Sequence, residues 1–166
     1  KMNDAALERL RIESDLRLAL AREEFCLHFQ PVINMDTGRV SGLEALVRWQ
    51  HPEKGLLSPA RFIGVAEETG LIQPLGEWVF WAACRQLVGF TKAGLAEIKM
   101  GINISAIQMR NGNLPKLLTQ AVETLGVNPA DLVFEITESV AMEQPEETVR
   151  VLDILHGMGV IIAIDD

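Results

Sequence analysis

Cysteine and basic residues are both scarce in this sequence. Its 166 residues include two cysteines, Cys26 and Cys84, which are too few and too far apart for a disulfide framework, so we expect two reduced and buried thiols. Lysine and arginine together number 15 against 23 acidic residues, which gives a formal net charge of −8. A protein that binds DNA or RNA needs a basic face for the phosphates, so nucleic acids are not expected partners.

Long hydrophobic runs are also absent. Residues 1–4 do not begin an apolar secretory segment, and the most apolar stretch, residues 78–84, is far too short to cross a bilayer. We therefore expect no membrane contact from this segment. The expected location is the cytoplasm, either free or as the cytoplasmic part of a larger, membrane-anchored protein. With 48% hydrophobic and 23% charged residues, a chain of this length is expected to fold as one domain.

Helical and strand patterns alternate along the chain. Apolar spacing and capping residues predict helices at 5–23, 58–70, 75–92, 114–125 and 145–158. Apolar runs predict strands at 25–32, 39–46, 98–105, 132–137 and 160–164. The first two strands flank an Asp- and Gly-containing turn at 34–38, which predicts an antiparallel hairpin. The later strands are separated by helices, which predicts parallel pairing and an α/β fold.

Acid or amide side chains stand at the carboxyl ends of these predicted strands. They are Glu44, Asn103, Glu135 and the pair Asp165 and Asp166. Because side chains alternate along a strand, these residues would point to the inner side of a closed parallel barrel. The carboxyl ends of the strands form the mouth of such a barrel, where active sites lie.

A group of carboxylates at one barrel mouth needs positive charge. Burying one unpaired carboxylate costs several kcal/mol, and Arg48 is the one clear cation near these strand ends. Mg²⁺ and Mn²⁺ take carboxylate and amide oxygens as ligands. A single glutamate at a strand end more often caps a helix or pairs with an arginine, but four oxygen ligands on four successive strands favour a metal site.

Other catalytic and metal motifs are excluded by their spacing. The apolar strand that ends at Asp165 and Asp166 resembles part of a P-loop ATPase, but no phosphate-binding glycine loop occurs in the sequence. The three histidines have no zinc-ligand spacing with one another or with the cysteines. Ser105 and Ser139 do not lie in the turn that carries a hydrolase nucleophile.

Seven short segments occur in a fixed order from about residue 14 to the last residue. They are residues 29–32 (FQPV), 42–49 (GLEALVRW), 59–63 (PARFI), 66–72 (AEETGLI), 103–105 (NIS), 134–139 (FEITES) and 164–166 (IDD). In order and spacing this set resembles the signatures of the EAL domain, a bacterial cyclic di-GMP phosphodiesterase domain. The resemblance implies metal-dependent hydrolysis of one phosphodiester bond of 3′,5′-cyclic di-GMP to linear pGpG.

The resemblance also implies residue roles. The metal-binding positions of the family, for two Mg²⁺ or Mn²⁺ ions, match Glu44, Asn103, Glu135, Asp165 and Asp166. Of these, Glu44, Asp165 and Asp166 are the implied catalytic residues. The positions that contact the cyclic dinucleotide match Gln30, Leu46 and Arg48. Glu138 belongs to one of the signatures and is interpreted as a cap for the next helix.

The implied fold is a TIM-like (β/α)8 barrel of EAL type with an antiparallel first strand, truncated here after the fifth strand. A complete barrel of this kind has about 250 residues. The family's later Phe-Gly-Thr-Gly segment, lysine, glutamate and glutamine have no counterparts up to Asp166. Because the fifth strand would leave an open edge, we expect the chain alone to be weakly folded, self-associated or part of a longer polypeptide.

The predicted organisation is a linker or N-terminal helix at residues 1–22 and an incomplete EAL domain at residues 23–166. The resemblance suggests attachment to an upstream sensor or GGDEF domain and leaves a homodimer open. A second hypothesis is a receptor domain that binds cyclic di-GMP without cleaving it. Such receptors usually carry substitutions at metal-binding positions, and the matched positions here all hold the family residue. The third hypothesis is an α/β domain with no ligand.

Overall fold

A mixed sheet flanked by helices forms the fold. The structure is a computed structural model that describes residues 2–95, 97–143 and 145–165, with the side chains of residues 2 and 145 excepted. The strands are β1 (Phe25–Ile33), β2 (Val40–His51), β3 (Gly55–Leu57), β4 (Lys99–Asn103), β5 (Leu132–Thr137) and β6 (Ile161–Asp165). The α-helices are α1 (Met2–Ala19), α2 (Ile63–Thr69), α3 (Ile72–Lys92), α4 (Ala106–Arg110), α5 (Leu114–Leu125), α6 (Glu138–Met142) and α7 (Pro145–Gly157).

The strands lie in the order β1–β2–β4–β5–β6, with β3 paired to β2. β1 and β2 are antiparallel, and in the turn between them the Asn34 side chain accepts hydrogen bonds from the backbone N–H groups of Asp36 and Thr37. β2, β4, β5 and β6 pair in parallel. The predicted hairpin and the predicted α/β class are therefore confirmed.

The second strand is longer than predicted. The sequence predicts its end at residue 46, whereas β2 continues to His51, because Trp49 keeps the alternation of core-facing residues and is fully buried. The extension pairs with the unpredicted β3, where Trp49 lies opposite Leu57. Glu44 is therefore in the first half of its strand rather than at its carboxyl end, and β2 projects beyond β4.

Helices cover one face of the sheet. Alternate residues of the central strands are almost completely buried there, and the ring of Phe134 meets the ring of Phe80 from α3 with centroids 6.2 Å apart. Burial of one such side chain contributes about 1.5–3 kcal/mol. The other buried residues in these strands include Ala45, Met100, Ile102 and Leu132. Because side chains alternate, the intervening residues point to the opposite face.

The predicted helix at 58–70 is interrupted. A single 3₁₀ turn at Pro59–Arg61 precedes α2, and the fully buried Phe62 separates the two. Its ring packs against the rings of Phe25 and Trp49 at centroid distances of 5.8 and 5.6 Å. The ring of Phe62 thus lies in the core at the point where the helix is interrupted. Cys84 is buried as predicted, whereas Cys26 is only partly buried, and both thiols are free.

The first helix is docked on the carboxyl-end side of β2. Ile12, Leu16 and Ala19 of α1 are buried in the core. Ion pairs join Glu8 to Lys54 and Arg9 to Glu68. The helix ends at Ala19 rather than at residue 23, because the chain then turns into β1. No helix among the described residues has both the length and the apolar character needed to cross a membrane.

Candidate functional site

The parallel register brings the predicted strand-end residues to one face of the sheet. Glu44 of β2 lies opposite Gly101 of β4. Asn103 at the end of β4 lies opposite Glu135 of β5. Asp165 at the end of β6 lies opposite Thr137, two residues beyond Glu135. Since paired residues of parallel strands share a face, these four polar side chains belong to the same face.

Two carboxylates and one amide are in direct contact at this position. The Nδ2 atom of Asn103 donates a hydrogen bond to Oε1 of Glu44 at 2.9 Å. The Glu135 side chain lies beside that of Glu44, close enough for the two carboxyl groups to share a proton. Glu44 and Glu135 are partly buried, while Asn103 and Asp165 are exposed. Asp166 lies outside the described residues, so its predicted role stays a prediction.

Gly101 leaves the space in which the Glu135 carboxylate lies. A Cβ atom on Gly101 would stand 2.5 Å from Oε1 of Glu135 and 3.6 Å from the Cα atom of Glu44. Real Cβ atoms do not approach an oxygen so closely, so any other residue here would displace the carboxylate. Strand alternation puts Gly101 on the same side as Asn103, but the sequence alone indicates no role for it.

The site carries an excess of negative charge. Burial raises the pKa of Glu135 to about 7, and the charges of Glu44 and Asp165 and the hydrogen bond to Glu44 raise it in the same direction. A bound cation would stabilise the charged forms of these three carboxylates. Carboxylate and amide oxygens are the donors that hard divalent cations bind, so the residues present fit Mg²⁺ or Mn²⁺.

The acidic groups are not gathered into a closed metal cage. Within the described ranges, no three His, Cys, Asp or Glu side chains already converge on one point as metal ligands. The nearest arrangement is the contact group of Glu44, Glu135 and the Asn103 amide. A divalent cation bound here would therefore draw on the Asn103 amide oxygen as well as on carboxylates.

The predicted dinucleotide contacts lie on the first two strands beside this group. Gln30 of β1 is directly opposite Glu44 across the hairpin. Leu46 and Arg48 follow Glu44 at two-residue steps along β2 and so share its face. The Arg48 guanidinium donates to the carbonyl oxygen of Val47 at 2.9 Å. The register of the β1–β2 hairpin therefore places Gln30 next to the acidic group.

A cavity of about 570 Å³ opens at the mouth. Leu46, Asn103 and Glu135 contribute to its wall, which joins the cavity to the acidic group. This volume is within the range of small-molecule sites. Further lining residues, to which the sequence analysis assigned no role, include Pro59, Ile63, Glu67, Gln108, Ser139 and Glu143.

Two short helices complete the mouth, and neither was predicted from sequence. α4 follows β4, and α6 follows β5 without an intervening loop. The cap of α6 is Thr137, whose hydroxyl accepts from the backbone N–H of Val140 at 3.3 Å, so the interpretation of Glu138 as that cap is wrong. A five-residue helix spans little more than one turn, so the apolar spacing has no room to repeat, which is why the pattern did not reveal these two helices.

Comparison with known proteins gives a consistent family. The family model for the EAL domain matches residues 13–166. The chain is 41% identical over 165 residues to the bifunctional diguanylate cyclase/cyclic di-GMP phosphodiesterase MucR of Pseudomonas aeruginosa, which covers 99% of this chain and 24% of that protein. It is also 37% identical over 166 residues to the cyclic di-GMP phosphodiesterase PdeR of Escherichia coli. This alignment covers 100% of this chain and 25% of that protein.

Solved structures share the fold. The PaMucR phosphodiesterase, solved as a c-di-GMP complex, matches with a TM-score of 0.90 and 40% identity over 94% of this chain and 63% of that chain. The likeness confirms the predicted barrel-type fold with an antiparallel first strand, whose sheet is not closed in the described residues. The chain spans about a quarter of the length of the two curated relatives.

Proposed function

The chain belongs to the EAL domain family, and from that premise we propose that its protein hydrolyses 3′,5′-cyclic di-GMP to linear pGpG. The observation that carries this proposal is the contact group of Glu44, Asn103 and Glu135 at the mouth, with the charge of Asp165 close by. An acidic site is unsuited to a dianionic dinucleotide unless cations are bound in it.

The residues proposed to hold two divalent cations, Mg²⁺ or Mn²⁺, are Glu44, Asn103, Glu135, Asp165 and Asp166. When bound, the ions supply positive charge at the phosphoryl oxygens and a water of lowered pKa. Gly101 lets the Glu135 carboxylate approach Glu44, and Asn103 orients Glu44 through its amide. The chain thus supplies oxygen donors whose mutual repulsion a bound cation would relieve.

The remaining proposed contacts bind the substrate. Arg48 is assigned to a phosphate, because a guanidinium donates two parallel hydrogen bonds to phosphate oxygens. Gln30 and Leu46 are assigned to the dinucleotide on the same face, and the 570 Å³ cavity accepts part of it. In the overall reaction water adds across one P–O3′ bond, so that phosphorus keeps its 5′ ester and the 3′ oxygen leaves as a hydroxyl.

The setting of this activity is part of the proposal. We propose that residues 1–22 link the domain of residues 23–166 to an upstream sensor or GGDEF domain, which the description of MucR as bifunctional supports. Two free thiols support a cytoplasmic location. We also propose that the full-length protein forms a homodimer, which sedimentation velocity checks.

Turnover of cyclic di-GMP by the full-length protein tests the proposal. With Mn²⁺ we expect pGpG to form, and we expect its formation to stop with EDTA or with Glu44→Gln. The matched control, Glu123→Gln on the exposed side of α5, should leave turnover unchanged. Binding of cyclic di-GMP without turnover would support the receptor hypothesis instead. Absence of both binding and turnover would overturn the proposed function.

A further inference from the structure

Hydrogen bonds to β5 and to α4 anchor the backbone that follows Asn103. Asn103 is the last residue of β4, and α4 begins three residues later at Ala106. Between them, the backbone N–H of Ile104 donates to the carbonyl oxygen of Glu135 at 2.9 Å. Because Ser105 is only two residues beyond Asn103, whatever holds Ser105 also limits the position of the Asn103 amide.

Ser105 is held by a reciprocal pair of hydrogen bonds with Gln108. The Ser105 hydroxyl accepts from the backbone N–H of Gln108 at 3.3 Å. In return, Oε1 of Gln108 accepts from the backbone N–H of Ser105 at 2.9 Å. This is a capping box at the start of α4, and it satisfies two backbone donors that would otherwise lack partners. Gln108 is 7% exposed, so its amide has little water available as a substitute.

The Gln108 amide in turn lies directly on the backbone of α3. A Cβ atom on Gly76 would stand 2.1 Å from Nε2 and 2.5 Å from Cδ of Gln108. Only glycine leaves this space, although a glycine inside a helix is less favourable than alanine. Three residues earlier on the same helix, Nε2 of Gln73 donates to the carbonyl oxygen of Ile107 at 2.9 Å. Two contacts therefore tie α4 to α3.

We propose that Gly76 and Gln108 are positioning residues for Asn103. The space at Gly76 lets the Gln108 amide reach Ser105, the capping box fixes the backbone at Ser105, and this fixes the amide that donates to Glu44. The proposal rests on the proposed function in so far as Asn103 serves as a metal ligand. Residues that orient metal ligands change metal affinity by about 10- to 100-fold when they are replaced.

The chain offers a closely matched control on the same helix. Gly76→Ala and Gly89→Ala both replace a glycine of α3 with the best helix former. A Cβ atom on Gly89 meets nothing within 4 Å, so this variant should raise the melting temperature and leave the site unchanged. Gly76→Ala should instead displace Gln108, speed hydrogen exchange of the Ser105 amide, and lower Mn²⁺ affinity about tenfold.

A double-mutant cycle separates positioning from general destabilisation. Mn²⁺ affinity is measured by calorimetry, and exchange at Ser105 by NMR, for full-length wild type, Gly76→Ala, Gln108→Ala and the double variant. If Gly76 acts by making room for Gln108, the double variant should match Gln108→Ala alone.

Two results would overturn the positioning proposal. One is a lower melting temperature of Gly76→Ala with unchanged Mn²⁺ affinity and unchanged Ser105 exchange. The other is simple addition of the two single effects. If the wild type binds neither Mg²⁺ nor Mn²⁺, the proposed function fails. Hydrogen exchange at Ser105 and the Asn103 side-chain amide resonances then still decide the positioning proposal.

Discussion

Glu135 is an acidic side chain in surroundings that disfavour its negative charge. It is partly buried, and the charges of Glu44 and Asp165 act on it in addition to that burial. Gly101 supplies the space that makes this arrangement possible. The residue therefore costs stability while no cation is bound, and that cost is what a bound cation relieves.

The variant Glu135→Gln is expected to stabilise the cation-free protein and to abolish divalent-cation binding. The free energy of unfolding should rise by about 1 kcal/mol, a value that allows for solvent screening of a partly exposed carboxylate. Chemical denaturation in EDTA measures the stability, and calorimetry with Mn²⁺ measures the binding. A variant that is less stable in EDTA at pH 8 would contradict this account.

The pH dependence of that gain has a definite sign. The pKa of Glu135 is raised from 4.5 to about 7. Protonation of Glu135 therefore contributes fully to the free energy of unfolding of the wild type below pH 4.5, and this contribution is lost as the pH rises through 7. The stability difference between Glu135→Gln and wild type should therefore be small at pH 4.5 and reach its full size above pH 7.

At the scale of elements, α1 is attached to the rest of the fold by one narrow apolar side. Ile12 and Leu16 are buried, whereas Leu18 is 45% exposed. His51 reinforces the attachment, since its Nε2 atom lies 3.0 Å from Oδ2 of Asp15 and its Nδ1 atom accepts from the backbone N–H groups of residues 53 and 54. The helix thus belongs to the same core as the sheet.

Leu16→Ala and Leu18→Ala make the same chemical change on opposite sides of α1. Leu16→Ala should lower the free energy of unfolding by about 2–4 kcal/mol, because it leaves a cavity in the core. Leu18→Ala should change the free energy of unfolding by less than about 0.5 kcal/mol. Denaturant titration of both variants checks the prediction, and equal losses would show that α1 is not docked as described.

The elements differ in how well their sequences predict them. Helix α5 has the predicted bounds, because a strong apolar face lies between Asn113 and the left-handed Gly126. The interruption at Phe62 depends instead on aromatic rings supplied by β1 and β2, which local spacing does not encode. The polar strand-end residues could be predicted, because alternation along a strand is a local property of the sequence. The roles of Gly101 and Gly76 could not, since each depends on a side chain from another element.

At the scale of the whole molecule, the sheet presents an open edge. β6 pairs with β5, and no strand of the described residues pairs with its other side. Ile161 and Ile164 of this strand are 40% and 65% exposed. An exposed apolar edge strand is a site for pairing with another chain.

The isolated 166-residue chain is therefore expected to self-associate as its concentration rises. Ile161→Lys should reduce this association, because a lysine on an edge strand opposes strand pairing. Sedimentation velocity over a hundredfold range of concentration measures the effect, with the exposed Val149→Lys on α7 as the control. A monomeric wild-type chain with sharp two-state unfolding would contradict the expectation.

The reversed direction of β1 determines the side of the barrel from which the chain enters. Phe25 pairs with Trp49, which lies beyond Glu44 toward the carboxyl end of β2. α1 contacts Lys54, which follows β2, and Glu68 of α2, whose neighbour Glu67 lines the cavity. If a sensor domain precedes α1, as proposed, then α1 connects it directly to the rim of the cavity. A change in the sensor could reach the cavity through the contact of α1 with α2, without passing along the length of the sheet.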